Sequence, residues 1–326
     1  MMTFADIEAA RRRIAGRVLR TPLRPSASLS ARAGAPVWLK HEQLQETGSF
    51  KLRGATNAVL SLTPDERARG VVTVSSGNHG RGLAHAAAQE GVPCTVCISS
   101  LVPRNKRDAI AALGARVHIV GRSQDEAEIG AKQLADEHGL VMVHPFDQAE
   151  IIAGQGTLGL EIMEQAPETE CLLVPLSGGG LAAGVALAAK TRKPGLRVIG
   201  VSMALGAAMA ASLKAGRPIE VEELPTLADA LGGGIGLANR HTFAMARDLI
   251  DEVVLVEEAE IAAAIAHAWR WEGEVVEGAG AVGIGAVLAD KVRLAGPTLI
   301  VLSGCNIDAE LHRRIVEDYS NTGRHA

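Results

Sequence analysis

Short apolar runs rich in β-branched residues alternate along the chain with longer segments rich in alanine. Runs of this length predict buried strands, and the segments between them predict helices that cover both faces of a parallel sheet. The pattern therefore predicts an α/β protein made of two doubly wound, three-layer α/β/α blocks with mostly parallel sheets and a cleft between them. The apolar runs lie at 71–74, 93–98, 117–120, 140–143, 172–176, 196–201 and 297–302.

Composition and charge exclude two classes of partner. The 326 residues include 33 Lys and Arg against 37 Asp and Glu, which gives a formal net charge of −4. Nucleic-acid and anionic-membrane binders need a basic face, and a membrane-spanning helix needs about 18 or more consecutive apolar residues. The sequence offers neither, so we expect no nucleic-acid partner and no membrane partner.

The four cysteines are too few and too scattered to form a disulfide framework. Cys94 and Cys97 lie three residues apart in a predicted strand, where their side chains point to opposite faces, so both are predicted to be buried in the core. Free thiols, together with an N-terminal segment that lacks the apolar core of a signal peptide, predict a cytoplasmic protein.

The segment 47–55 contains the residue around which the predicted chemistry is organised. Lys51 follows Phe50, lies between Gly48 and Gly54, and precedes an apolar helical run. Apolar neighbours disfavour the charged form of a lysine, which favours a reactive neutral amine. Most lysines are simply solvated, so this segment alone does not indicate a reactive lysine. The support comes from turns elsewhere in the chain.

Two further turns follow predicted strands and open predicted helices. The turn 177–180, Ser-Gly-Gly-Gly, offers free backbone N–H groups and the positive end of a helix dipole to a phosphate, or it is only a tight turn. The turn 75–80, Ser-Ser-Gly-Asn-His-Gly, could bind a small carboxylate, or it is only a capped helix start.

A third turn, 303–306, places the neutral hydroxyl of Ser303 at the end of the last predicted strand. A reactive lysine, a phosphate-binding turn, a carboxylate-binding turn and a neutral hydroxyl together indicate pyridoxal phosphate acting on an amino acid.

The same motifs, in the same order, are found in fold type II pyridoxal-phosphate enzymes. Over nearly its whole length the chain resembles the serine/threonine dehydratases and serine racemases, and among these it is most similar to the dehydratases associated with hydroxyectoine breakdown. The matching motifs are Ser-Phe-Lys-Leu-Arg-Gly-Ala at 49–55, Ser-Ser-Gly-Asn-His-Gly at 75–80, Val-His-Pro-Phe-Asp at 143–147, Ile-Ala-Gly-Gln-Gly-Thr at 152–157, Ser-Gly-Gly-Gly-Leu at 177–181 and Leu-Ser-Gly-Cys-Asn at 302–306.

The resemblance implies a domain division and a role for each site residue. A large cofactor-binding domain would comprise 1–66 and 148–326, and a small mobile substrate-binding domain would comprise 67–147. Lys51 would bind pyridoxal 5'-phosphate covalently and move the α-proton, and Ser76 would be the acid/base on the opposite face. The remaining cofactor-binding residues would be Phe50, Asn78, Gly178, Gly179, Gly180, Leu181, Glu277 and Ser303, and the substrate carboxylate would be held by Ser75, Ser76, Gly77, Asn78 and His79.

Two departures from the family pattern are informative. Relatives that bind a divalent cation have a Glu-Pro where this chain has Ser202-Met203, and an Asp where it has Ala208. Hard cations require oxygen ligands, so we expect no metal site. The family's Glu-Pro near the substrate reads Glu277-Gly278 here, so the acid is kept and the proline is not.

The resulting hypothesis is an ammonia-lyase that eliminates water from a β-hydroxy amino acid, which is either threonine- or serine-like or derived from hydroxyectoine. The alternatives are an amino-acid racemase that uses Ser76 and a non-catalytic α/β ligand-binding protein. An NAD-dependent dehydrogenase is disfavoured because the glycine fingerprint G-x-G-x-x-G is missing. The family resemblance further implies a homodimer.

Overall fold

The computed structural model describes residues 2–321, in which the strands form two separate sheets. The predicted alternation of strands and helices is present in both. The strands are β1 (Leu23–Pro25), β2 (Val37–His41), β3 (Val71–Val74), β4 (Cys94–Ile98), β5 (Arg116–Ile119), β6 (Val141–Met142), β7 (Cys171–Pro175), β8 (Arg197–Met203), β9 (Glu252–Val256) and β10 (Thr298–Leu302).

The helices surround these sheets, and three short segments of tighter or wider turn lie at 42–44, 229–231 and 268–272. The α-helices are α1 (Phe4–Ile14), α2 (Ala27–Ala33), α3 (Lys51–Leu60), α4 (Pro64–Arg69), α5 (Asn78–Gln89), α6 (Arg104–Ala112), α7 (Gln124–His138), α8 (Ala149–Gln165), α9 (Gly180–Arg192), α10 (Ala208–Ala215), α11 (Thr242–Leu249), α12 (Glu258–His267), α13 (Gly278–Leu288) and α14 (Ala309–Asn321).

The larger sheet has the strand order β1-β2-β10-β7-β8-β9. All neighbours are parallel except β1, which runs antiparallel to β2. Since β7 and β10 are parallel neighbours, the turns that follow them lie at the same edge of the sheet. This brings the glycine-rich turn at 177–180 close to the turn at 303–306.

The smaller sheet has the order β5-β4-β3-β6, and all of its strands are parallel. Cys94 and Cys97 on β4 are both buried and belong to hydrophobic clusters on opposite faces of this sheet, as predicted. The parallel, helix-covered architecture confirms the predicted fold class. The division at residues 66–67 and 147–148, and the mobility of the smaller part, stay predictions.

The long helix α8 packs closely against α3 and α9 because of its glycines. A Cβ atom on Gly154 would lie 2.6 Å from Cα of Gly54 on α3, and one on Gly159 would lie 2.7 Å from the carbonyl oxygen of Val185 on α9. Glycine lowers intrinsic helix propensity, so tertiary packing outweighs local preference here.

A largely buried ion network lies under α3. Arg53 donates from Nε to Glu42 Oε2 at 2.7 Å and from Nη1 to Glu161 Oε1 at 2.7 Å, and Lys40 Nζ donates to Glu161 Oε2 at 2.9 Å. Lys40, Glu42 and Arg53 are completely buried, so their charges are stable only because each one has an opposite partner. The network fixes the start of α3 against β2 and α8.

Among the described residues, no helix has both the length and the apolar character needed to cross a membrane.

Candidate active site

Lys51 is the first residue of α3, and backbone contacts join it to the end of β10. The N–H of Phe50 donates to the carbonyl oxygen of Ser303 at 3.0 Å, and Ser49 forms an isolated antiparallel bridge with Gly304. Two predicted site residues separated by 252 positions in the sequence, Lys51 and Ser303, are therefore held next to each other.

The Lys51 side chain is partly buried, and no carboxylate among the described residues pairs with its amine. Its Nζ donates to the carbonyl oxygen of Pro145 at 2.6 Å and lies 5.4 Å from the centroid of the Phe50 ring. Burial lowers the pKa of Lys51 to about 8. A larger share of this lysine is thus neutral and nucleophilic near physiological pH than is usual for a lysine.

The turn at 177–180 forms a glycine-lined cradle next to Phe146. A Cβ atom on Gly178 would lie 2.3 Å from the Phe146 ring, and one on Gly180 would lie 2.9 Å from the Phe146 carbonyl oxygen. Gly179 adopts φ +91° and precedes α9, whose first N–H groups have no acceptor within the helix. Free donors and a positive dipole end at this point suit a phosphate group.

The cradle is fixed from its other side by Asp147. The Asp147 carboxylate accepts hydrogen bonds from the N–H groups of Arg240, His241 and Thr242 at 2.6 to 2.9 Å, which caps the start of α11. The pKa of Asp147 is lowered because these three bonds outweigh the opposing effect of burial. Thr242 in turn contacts Gly179, where an added Cβ would lie 3.0 Å from the threonine Cβ.

The turn 75–80 links β3 to α5 and lies directly against the lysine helix. A Cβ atom on Gly82 would lie 3.2 Å from the carbonyl carbon of Lys51, which shows how closely α5 approaches the backbone of that residue. Ser75, Ser76 and Gly77 are partly exposed, while Asn78 and His79 are buried. The predicted carboxylate-binding turn is therefore in the immediate neighbourhood of the lysine.

His79 lies at the first turn of α5, and its side chain points to the protein interior. Its Nε2 lies 3.2 Å from the carbonyl oxygen of Val143, so Nε2 carries the proton and donates it. Burial and the nearby Lys51 charge lower the pKa of His79 to about 3. The imidazole is thus neutral, and its Nδ1 can only accept a hydrogen bond.

Glu277 and Asn78 form a buried pair at the end of β10. Asn78 Nδ2 donates to Glu277 Oε1 at 2.6 Å, and the N–H of Glu277 donates to the carbonyl oxygen of Gly304 at 3.0 Å. Burial raises the pKa of Glu277 to about 7, although the hydrogen bond from Asn78 opposes this effect. Ser303, which is also buried, has its hydroxyl 3.5 Å from the carbonyl oxygen of Ala279.

The residues present fit pyridoxal 5'-phosphate. The amine of Lys51 matches its aldehyde, the cradle at 178–180 matches its phosphate, and the neutral hydroxyl of Ser303 matches its pyridine nitrogen. In addition, Thr47 Oγ1, Ser49 Oγ and His79 Nδ1 are buried and have no hydrogen-bond partner among the described residues. Buried polar atoms are normally satisfied, so these atoms leave hydrogen-bonding capacity for a polar ligand beside the lysine.

Several residues of the site were not identified from the sequence as contributors. Phe146 and Asp147 shape the glycine-lined turn at 177–180, and Asn306 donates to Asn78, yet the sequence analysis gives these three residues no role of their own. Their contacts join positions far apart in the chain, and no local periodicity reports such contacts. In the part of the chain that the structure describes, no cluster of three or more His, Cys, Asp or Glu could hold a metal ion.

The pKa of Glu277 predicts a distinctive pH dependence of stability. The folded state keeps the proton up to about pH 7, whereas the unfolded chain loses it near the ordinary value of 4.5, so ionisation disfavours folding as pH rises between these values. We expect apoprotein carrying Glu277→Gln to gain stability over the native chain as pH rises from 5 to 8, by up to about 3 kcal/mol. Urea unfolding of both proteins across that range measures the difference.

The matched control for this prediction is Glu220→Gln, since Glu220 is an exposed carboxyl. This control should show no such divergence from the native chain between pH 5 and 8. If the Glu277→Gln and native curves ran parallel instead, Glu277 would be ionised throughout the range and the expectation would be wrong.

The chain belongs to the pyridoxal-phosphate dependent enzymes, because the model of that family matches residues 14–304. It is 55% identical over 97% of its length to a Sinorhizobium fredii protein named "Putative threonine dehydratase", of which 95% is covered. It is 44% identical to the L-threonine ammonia-lyase of Thermotoga maritima, with 97% of this chain and 78% of that protein covered. Its structure superimposes on maize serine racemase with a TM-score of 0.91 at 34% identity, with 99% of each chain covered.

These similarities confirm the predicted family and its cofactor, pyridoxal 5'-phosphate. They also exclude the non-catalytic alternative and the NAD-dependent dehydrogenase, since the relatives are lyases and racemases of one pyridoxal-phosphate family. The roles of the individual site residues stay predictions.

Proposed function

We propose that this protein is a pyridoxal-phosphate-dependent ammonia-lyase that removes water from a β-hydroxy amino acid and yields a 2-oxo acid and ammonia. The observation that carries the proposal is the enclosed Lys51 amine, whose pKa is lowered to about 8 and which lies at the edge where the turns 75–80 and 303–306 meet. The similarity to L-threonine ammonia-lyase supports the reaction class.

Each residue of the site has a defined task in this proposal. The bound cofactor would supply delocalisation of the negative charge that develops at the α-carbon. Lys51 would take the α-proton, which requires a neutral amine and is therefore favoured by its lowered pKa. A neutral hydroxyl at Ser303 does not hold a proton on the pyridine nitrogen as a carboxylate would, which favours prompt loss of the β-hydroxyl over transamination.

The substrate carboxylate is proposed to bind at 75–79. The N–H groups of Asn78 and His79 belong to the first turn of α5, where helix N–H groups have no intrahelical acceptor and the dipole favours an anion. The partly exposed hydroxyls of Ser75 and Ser76 add side-chain donors next to them. Together these groups suit one small carboxylate.

Amino-acid racemisation is the second candidate function. The structure superimposes closely on maize serine racemase, and Ser76 occupies the position that the family resemblance assigns to the acid/base on the opposite face. A racemase must return a proton to the face that Lys51 does not serve, and a partly exposed serine hydroxyl beside the lysine helix is a candidate for that step.

The deciding experiment compares two products of the holoenzyme. L-Threonine, L-serine, 3-hydroxyaspartate and a hydroxyectoine-derived compound are each incubated with the enzyme, with added Mg²⁺ or with EDTA, while 2-oxo acid release and D-serine formation are measured. We expect 2-oxo acid release from threonine or serine to exceed D-serine formation and to be insensitive to Mg²⁺. D-serine formed faster than pyruvate would identify a racemase instead, and no product from any of the four compounds would refute both functions.

Ser76→Ala separates the two reactions further. If Ser76 is the acid/base on the opposite face and only one of several donors to the substrate carboxylate, this variant should lose D-serine formation by about 10²-fold or more and lose much less 2-oxo acid release. Ser100→Ala, at an exposed position, is the matched control and should change neither. Equal loss of both products in Ser76→Ala would show that Ser76 acts in substrate binding and not as the acid/base of the opposite face.

The finer predictions of the resemblance belong to this proposal as well. We propose a cytoplasmic homodimer whose smaller part, residues 67–147, moves relative to the rest during turnover. The link to hydroxyectoine breakdown is carried by the family resemblance, and the four-substrate assay tests it directly.

A further inference from the structure

A chain of four side chains crosses from α5 to the end of β10 and ends at the start of α13. Arg81 Nη1 donates to Asn306 Oδ1 at 2.6 Å, Asn306 Nδ2 donates to Asn78 Oδ1 at 2.5 Å, and Asn78 Nδ2 donates to Glu277 Oε1 at 2.6 Å. Asn306 Nδ2 donates in addition to the carbonyl oxygen of Thr47 at 2.9 Å. Two neutral amides, Asn306 and Asn78, therefore link the arginine to the buried carboxyl of Glu277.

The orientation of both amides in this chain is determined by its fixed ends. An arginine can only donate and a backbone carbonyl can only accept, so Asn306 must turn Oδ1 towards Arg81 and Nδ2 towards Thr47. The same Nδ2 faces Asn78, which must therefore present Oδ1 to Asn306 and Nδ2 to Glu277. A flipped Asn78 would bring its Nδ2 against Asn306 Nδ2 and lose the bond between these two side chains.

Two glycines leave room for this chain. A Cβ atom on Gly48 would lie 2.8 Å from Asn306 Oδ1, and one on Gly304 would lie 2.2 Å from Glu277 Oε1 and 3.3 Å from Asn78 Nδ2. Gly48 also adopts φ +76°, and its carbonyl oxygen accepts from the N–H of Cys305 at 2.9 Å. The backbone around the lysine segment is thus shaped to admit these side chains.

We infer that Asn306 is a positioning residue that fixes the amide of Asn78 so that its second Nδ2–H stays available to the cofactor, and that Arg81 holds Asn306 in the orientation this requires. The inference rests on the proposed function and on the family resemblance, which implies that the Asn78 side chain binds the ring hydroxyl of pyridoxal phosphate. With Oδ1 and one N–H already used, a single N–H donor remains on the Asn78 side chain. Asn306 and Arg81 contribute to the site only through Asn78.

Asn306→Asp is the sharpest test, because it preserves size and the acceptor for Arg81 but removes the donor to Asn78. A carboxylate facing Asn78 Oδ1 is repulsive and favours the flipped amide. We expect pyridoxal phosphate to bind the apoprotein about tenfold more weakly, as is typical for loss of one buried hydrogen bond. We also expect the absorption band of the bound cofactor to shift, because the hydrogen bond to its ring oxygen changes.

Two further variants and a control complete the test. Arg81→Ala should weaken cofactor binding by a smaller factor than Asn306→Asp does, and Arg81→Lys should bind the cofactor nearly as well as the native chain because a donor to Asn306 returns. In a protein that already carries Asn306→Ala, the further change Arg81→Ala should weaken cofactor binding little more. Asn105→Asp, at an exposed asparagine, should leave binding and spectrum unchanged. A thermal melt of each apoprotein separates a local effect from unfolding.

The outcomes are decisive in each direction. Native affinity and an unchanged spectrum in Asn306→Asp would overturn the inference, and so would equal, additive effects of the Arg81 and Asn306 variants. If Asn306→Asp did not fold, the Arg81 series would decide by the same readouts. Binding and spectrum do not depend on turnover, so failure of the proposed reaction with all four substrates would be seen separately.

Discussion

Replacing Lys51 with alanine is expected to reduce 2-oxo acid release by about 10³-fold or more, because the variant has no group to take the α-proton and no amine to bind the cofactor covalently. The structure offers no substitute at this point, since the neighbouring His79 has a pKa of about 3 and donates its proton to a backbone carbonyl. Single-turnover measurements with saturating cofactor test the expectation.

The same variant should be at least as stable as the native apoprotein at pH 7. The folded-state pKa of Lys51 is lowered from 10.5 to about 8, so below pH 8 the folded protein carries a partly desolvated ammonium that the unfolded chain solvates freely. Truncation removes that cost, and we expect a gain of about 1 to 3 kcal/mol at pH 7 that disappears above pH 10.5. Loss of activity with no loss of stability would identify the lysine as functional and not structural.

Lys214→Ala, on the exposed surface of α10, is the matched control and should alter neither property. Full turnover by Lys51→Ala would refute the lysine mechanism. An unfolded Lys51→Ala apoprotein would contradict the expectation that removal of the ammonium stabilises the folded state.

Replacing Gly178 with alanine is expected to weaken cofactor binding by about tenfold or more. The added methyl group would lie 2.3 Å from the Phe146 ring, and a contact this short forces the ring or the turn to move. Overpacking of this kind costs about 1 to 3 kcal/mol, and movement of the turn would also displace the N–H groups that face the phosphate. Equilibrium binding of pyridoxal phosphate and the melting temperature of the apoprotein measure the two effects.

Gly195→Ala is the control for this prediction, because nothing lies within 4 Å of its added Cβ and its φ is not positive. The double variant Gly178→Ala with Phe146→Ala provides a second check, since removal of the ring relieves the contact and should recover part of the binding. Native affinity in Gly178→Ala alone would show that the cradle does not hold the phosphate.

The fold class and the positions of the three predicted ligand-binding turns can be predicted from the sequence, because both depend on local patterns. Apolar runs followed by glycine or serine predict parallel strands that end in ligand-binding turns, and the turns at 75–80, 177–180 and 303–306 lie at such ends. The pattern of apolar runs does not predict helix α8, and the helix propensities of Gly154, Gly156 and Gly159 disfavour it.

Those glycines are explained only by the helices they touch. A Cβ on Gly156 would lie 2.7 Å from Ile7 and 3.0 Å from the carbonyl oxygen of Gly184. Likewise the pairing of Asn306 with Asn78 and of Phe146 with Gly178 joins elements that meet only in the folded chain. Such contacts are set by tertiary packing, which a single sequence does not display.

The ion network beneath the lysine helix contains two cations, Lys40 and Arg53, and two anions, Glu42 and Glu161, each cation within 2.9 Å of an oppositely charged atom. Arg53 is two positions beyond Lys51 on α3, and residues at that spacing point to nearly opposite sides of a helix. Opposite charges held at such distances largely cancel at a distant point, and the Lys51 pKa is accordingly lowered by burial. The ion network thus holds the lysine helix in place, while burial of Lys51 sets the pKa of its amine. A substitution in the network can therefore change the rigidity of the helix without changing the basicity of the lysine.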